Sequence, residues 1–186
     1  MIAEQGTSKD GAAGRIGAGL HEGMTVRGHW RAVYYAGDWT AAQIDAGLAG
    51  APLETHEGEN ILVNVGIQLA LDLLIGAGGT AYTNAASYIG IGDSNTAAAA
   101  AQADLQASTN RVKKAMDATY PSRSGNTISW RCTFSTSEGN FSIQEAGVFN
   151  GGPAFATGTM LNRLLAPLGT KTSATTLQVT ATLTFS

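Results

Sequence analysis

Leu177, Val179, Ala181, Leu183 and Phe185 alternate with Gln178, Thr180, Thr182 and Thr184 over nine consecutive residues. Side chains along a strand point to opposite faces in turn, so this stretch can bury its apolar set only as one strand of a sheet with a single covered side. The same rule governs Ile128, Trp130, Cys132 and Phe134, which alternate with Ser129, Arg131 and Thr133. It holds again for Val26, Gly28, Trp30, Ala32 and Tyr34 against Arg27, His29 and Arg31. Three such stretches in one chain demand an antiparallel architecture with an apolar interior.

Shorter runs fill the space between them. Tyr88 to Gly92, the region of Val112, Lys114 and Met116, Phe141 to Phe149, and Met160 to Leu165 read as further strands. They are separated by turn chemistry at Ser124-Gly125-Asn126, Ser137 to Asn140 and Asn150-Gly151-Gly152-Pro153. Phe141 and Ile143 share one parity while Ala146 and Val148 share the other, so a β-bulge is expected near Glu145. Successive short strands of this kind predict a sandwich.

One segment has a different period. Asn64, Gln68 and Asp72 fall at i, i+4 and i+8 on an otherwise apolar run that includes Val65, Leu69, Leu71, Leu73 and Leu74. That spacing predicts a helix capped by Asn64 and ended by Gly76, and its wide apolar surface predicts near-complete burial. The run Ile61 to Ile75 is shorter than the roughly 20 residues that span a bilayer, so it is not a membrane anchor.

The first 24 residues carry six glycines and scarcely an apolar side chain, and read as a flexible docking arm. They offer no apolar core for a secretory signal, so the chain is expected to stay in the cytoplasm until assembly. Thr25 to Tyr34, the turn Ala36-Gly37-Asp38 and a short helix from Thr40 through Leu48 make a small β-turn-α unit. The expected organisation is therefore an arm at 1–24, a small adaptor segment at 25–57 and a β-sandwich assembly module at 58–186. The fold class is mainly β (α+β): an antiparallel β-sandwich with one buried helix, an extended N-terminal arm and the β-turn-α unit.

Composition narrows the functions available. Charged residues make up 13% of the chain, about half the usual share for a soluble domain. With a net charge of -3 and thinly spread Lys and Arg, there is no electrostatic footprint for nucleic acid or an anionic membrane. A surface this poor in charge suggests burial in an assembly. The single cysteine, Cys132, excludes an internal disulfide framework and a cysteine-rich zinc site, and reads as a core residue.

Catalytic readings fail on specific residues. Gly92-Asp93-Ser94 follows a strand as an esterase nucleophile would, but that chemistry needs a histidine base, normally in an Asp-x-x-His pair near the C-terminus. His21, His29 and His56 all precede Ser94 and lack that motif. Gly76-Ala77-Gly78-Gly79 follows a helix where a dinucleotide cradle must follow a strand. His21-Glu22 and His56-Glu57 lack a second histidine at helical spacing for a metal. Asp93-Ser94-Asn95 opens like a calcium loop but lacks its glycine and distant glutamate. No cofactor is implied. Trp30, Tyr34, Tyr35 and Trp39 form an aromatic group suited to a small core, a subunit interface or stacking on a sugar.

A set of short motifs follows along the chain in this order: Tyr88 to Ser94, Asp104-Leu105, Lys113 to Met116, Ser137 to Phe141, Glu145 to Asn150, Gly158 to Arg163 and Gly169-Thr170-Lys171. Together, over residues 58 to 186, they resemble a module of tailed-bacteriophage structural proteins, including the N-terminal module of tail-collar fibre proteins. The resemblance implies a non-catalytic virion protein: a tail-associated fibre or adaptor subunit that forms a homo-oligomer, such as a trimer, and docks on other virion proteins. No shaft follows the module, so host recognition by this chain is not implied.

Trp30, Tyr34, Trp39, Glu145, Arg163 and Lys171 are the candidate assembly residues, with a Glu145–Arg163 pair fixing strand register or a subunit contact. A capsid decoration or head-fibre protein is the alternative within the class. A carbohydrate-binding module using Trp30, Tyr34 and Trp39 is the alternative outside it.

Overall fold

A computed structural model describes residues 25–186; the segment 1–24, expected to be a docking arm, lies outside the described residues. The elements, in chain order, are β1 (Val26–Ala36), α1 (Ala41–Asp45), β2 (Glu54–Leu62), α2 (Asn64–Ile75), β3 (Tyr88–Gly92), β4 (Arg111–Ala115), β5 (Ser122–Ser124), β6 (Thr127–Phe134), β7 (Glu145–Phe149), β8 (Met160–Leu165) and β9 (Thr175–Phe185). Among the described residues the nine strands form one sheet in the order β4-β3-β7-β8-β2-β1-β9-β6-β5. Every neighbouring pair is antiparallel. The fold is mainly β, as the alternation requires.

The sheet is continuous but curled, so its two halves face one another across a common core. Trp30, Ala32 and Tyr34 of β1, Trp130, Cys132 and Phe134 of β6, and Leu177, Val179, Ala181 and Leu183 of β9 supply one wall. Ile89, Ile91, Ala146, Val148, Leu161 and Leu164 supply the other. β2 joins the halves by changing partner along its length: Glu54 to Glu59 pair with β1, and Asn60 to Leu62 with β8. A strand that switches sheets turns a corner in this way.

That corner removes the boundary expected between 57 and 58, because β2 runs across it. Segment 25–57 does not stand apart either. β1 pairs along its whole length with β9, from Val26 against Phe185 to Ala36 against Thr175. Gly28 permits part of this arrangement, since a Cβ there would lie 2.1 Å from Oδ1 of Asn60, the atom that accepts the Trp30 indole N–H. The β-turn-α unit is present, with Thr40 and Gln43 forming a reciprocal capping box, but α1 ends at Asp45, short of Leu48.

α2 has the predicted limits, and Gly76 adopts the left-handed conformation that ends it. Val63, not Asn64, occupies the N-cap, without a side-chain bond. The helix is not buried: among its residues only Gly66 and Leu69 are enclosed. Strand side chains already fill the core, so α2 uses one narrow edge against β8. The expected bulge is also displaced. The chain leaves the ladder before Glu145, where Ile143 exchanges hydrogen bonds with Gly169 and Leu168, and the register shift falls between Val148 and Phe149.

Candidate functional site

Glu145 and Arg163 lie on adjacent strands β7 and β8, and both side chains are 0% exposed. Arg163 donates from Nε to Glu145 Oε2 at 2.9 Å, and its Nη2 lies 2.7 Å from the same oxygen. Arg163 also donates to Oε1 of Gln102 and to the Thr96 carbonyl, each at 2.9 Å. Glu145 accepts the backbone N–H groups of Gln106 and Ala107 at 2.9 and 2.7 Å. The pair therefore does two things: it crosses the β7–β8 ladder, and it ties the long β3–β4 connection, residues 93–110, onto the outer side of the sheet.

This explains why parity misled along β7. All five of its residues are buried. Ala146 and Val148 face the common core, while Glu145 and Phe149 lie under connections laid over the other side. Lys113 is enclosed there too. Its Nζ donates to the carbonyls of Ala154 and Thr157 at 3.2 and 3.1 Å and sits 3.9 Å from the Phe149 ring centre. Desolvation lowers its pKa against the opposing pull of Asp104.

Lys171 is buried apart from that pair, with Nζ 3.0 Å from Asn140 Oδ1. Burial lowers its pKa, opposed by Glu138 and Asp38. Glu145, Arg163 and Lys171 thus make contacts inside their own chain. As assembly residues they are corrected: a buried, hydrogen-bonded charge has no surface to offer a neighbour.

The aromatic group divides in the same manner. Trp30 and Tyr34 are fully buried core residues, and the Tyr34 hydroxyl donates to the Leu168 carbonyl at 2.7 Å. Trp39 is half-buried, its backbone N–H donating to Thr176 Oγ1. Trp30 and Tyr34 are enclosed by the sheet and offer no face for a sugar, so the three rings do not form a shared carbohydrate platform.

Ser94 Oγ donates to Thr96 Oγ1 and accepts the Thr96 N–H, which is a local turn. His29 and His56 are on β1 and β2, separated from β3 in the sheet by β7 and β8. His56 Nε2 lies 3.0 Å from Glu54, not Glu57, and His29 lies 3.7 Å from Glu57. The His21-Glu22 pair is outside the described residues. Among the described residues no group of three or more His, Cys, Asp or Glu side chains is placed to hold a metal. No described helix is long and apolar enough to cross a membrane.

The feature that sequence reasoning missed is the outer face of α2. Ile67, Leu71, Leu74 and Ile75 are exposed, Leu74 at 81% and Ile75 at 77%. Between Asn60 and Gly92 the only charged residue is Asp72. Beside this face runs an apolar groove of about 280 Å³, with Ala70 and Leu73 on the helix side. Tyr82, Leu161, Ile128, Trp130, Leu183 and Phe185 complete it. The signal in the sequence is hydrophobicity all round the helix, which does not distinguish a helix buried in its own chain from one left with an open apolar face.

The sequence matches no protein-family model, no curated protein and no solved structure.

Proposed function

We propose that this chain is a structural subunit of a tailed-bacteriophage particle, a tail-associated fibre or adaptor protein that works by self-association and docking. The observation that carries this reading is the exposed face of α2. Ile67, Leu71 and Leu74 follow one another at i, i+4 and i+7, the spacing with which one helix seats its side chains between those of another. The other described helix, α1, is five residues long and buries nothing, so it cannot serve as the partner.

A second copy of α2 is the matching surface. Its face carries no charge to repel its own kind, and a contiguous apolar patch of this sort marks an interaction site. The phage assignment is supported by the ordered motifs from Tyr88 to Lys171. The mechanism is burial of surface rather than chemistry on a substrate, and the partners are further copies and neighbouring virion proteins.

Sedimentation of the full chain tests the association. We expect an oligomer for the wild type and monomer for the L71E/L74E variant at unchanged melting temperature. A wild-type monomer at micromolar concentration sinks the self-association reading. Antibody labelling of purified particles tests the location. Label on tails supports the proposal, label on heads favours capsid decoration, and particles without label exclude a virion role.

A further inference from the structure

Lys171 is 1% exposed and, among the described residues, makes no ion pair. Its Nζ has two neutral contacts instead, Oδ1 of Asn140 at 3.0 Å and the Thr172 carbonyl at 3.4 Å. A buried ammonium without a counter-ion is costly to a fold. Lys114, by contrast, is paired with Glu138 at 2.7 Å, and the enclosed Lys113 bonds only to backbone carbonyls. Lys171 is the enclosed lysine that has a side-chain amide within reach.

Two connections bring the pair together. Asn140 lies between β6 and β7, and Lys171 between β8 and β9. The Lys171 backbone N–H donates to the Phe141 carbonyl at 3.1 Å, and Ser142 and Thr170 form a bridge beside it. The Asn140 amide is oriented from both ends: Nδ2 donates to the Thr136 carbonyl at 2.9 Å, which leaves Oδ1 facing the lysine. With a C=O bond of about 1.2 Å, Cγ of Asn140 is no more than about 4.2 Å from Nζ. A shift of about 1 Å therefore brings the two atoms to the roughly 3–3.5 Å from which a bond can form. Desolvation lowers the lysine pKa against the opposing pull of Glu138 and Asp38, which enlarges the share of neutral, nucleophilic amine. Asn140 itself is exposed, so a small leaving group has a path to solvent.

We propose that Lys171 and Asn140 become joined by an isopeptide bond, which the folded chain forms on itself. The neutral Nζ attacks Cγ of Asn140, the Cγ–Nδ2 bond breaks, and one amine proton passes to Nδ2, which leaves as ammonia. The proton shed earlier by the lysine ammonium is balanced when ammonia takes one up in solvent, so no oxidant, metal or cofactor is consumed. The product replaces an unpaired buried charge with a neutral amide. It also ties the β6–β7 connection to the β8–β9 connection across 31 residues, a restraint on the unfolded chain that a single cysteine cannot supply from within. This inference does not depend on the virion assignment.

Mass spectrometry of the intact full chain, purified in its folded state and held at neutral pH, tests the proposal. We expect a mass about 17 Da below that of the sequence, the loss of one ammonia. Tryptic digestion should give a branched peptide, uncut after Lys171, whose fragment ions place the link between Lys171 and Asn140. Lys171→Arg and Asn140→Ala should each restore the full mass, and the second variant alters an exposed side chain, so it serves if the first does not fold. A wild-type chain of full mass overturns the proposal. So does a loss of about 17 Da that survives Lys171→Arg or whose fragment ions leave Lys171 free, because an asparagine closing on its own backbone sheds the same ammonia.

Discussion

Gly66 meets Leu161 so closely that a Cβ on the glycine would stand 2.5 Å from both the Leu161 α-carbon and its carbonyl oxygen. This contact, with Leu69 beside it, seats α2 on β8 and decides which side of the helix is left uncovered. Gly66→Ala must push the helix off the strand, because its obstacle is backbone. We expect a loss of about 1–3 kcal/mol in urea denaturation, the usual cost of overpacking. An unchanged midpoint would show that the helix adjusts freely.

The Glu145–Arg163 pair is enclosed, so removing one partner leaves the other charge buried. Arg163→Met should cost about 3–5 kcal/mol. Glu145→Gln with Arg163→Met should not restore wild-type stability, because the bonds that Arg163 makes to Thr96 and Gln102 stay lost. Hydrogen exchange provides the local reading: the amides of Gln106 and Ala107, which bond to Glu145, should exchange faster in Glu145→Ala than those of β9. Equal protection would sever the link between the pair and the β3–β4 connection.

Glu138 gives the acid limb a named contributor. Burial raises its pKa, but the Lys114 ammonium at 2.7 Å and the Ser135 N–H at 2.9 Å outweigh this and hold it below the ordinary value. A carboxyl depressed by folding adds stability that is full above its unfolded value, near pH 4.3, and is lost as pH falls through the lower folded value. Glu138→Gln should therefore reduce the fall in urea midpoint across that acid range. Parallel curves for the two proteins would remove the assignment.

Cys132 is 0% exposed at the centre of β6, and burial pushes its thiol well up, with Asp117 and Glu138 adding to the shift. Reaction with a thiol reagent at neutral pH should occur only through unfolding. Its rate should rise with urea in step with the loss of tryptophan signal, and fast labelling without denaturant would contradict the packing described.

Strand after strand was legible because period-2 alternation is local: Trp30, Trp130 and Val179 face inward as their neighbours dictate. β2 was not legible. Its residues Glu54 to Glu59 are polar and partner-dependent, and nothing local says that one end will pair with β1 and the other with β8. The ion pair was legible as two residue types on neighbouring strands, but its burial depends on the 93–110 connection folding over it. The exposure of α2 was hidden for the same reason. An apolar surface looks identical in sequence whether its cover comes from the same chain or another.

The pairing of β1 with β9 has a mechanical consequence. Thr25 and Ser186 lie side by side, so tension applied between them opens the ladder one pair at a time, beginning at Val26 and Phe185. Tension applied between Thr25 and the sheet's far end instead runs along β1 and loads all eleven pairs at once. The fold thus yields readily to peeling at that pole and resists being drawn out lengthwise, so its mechanical strength depends on the direction of the pull.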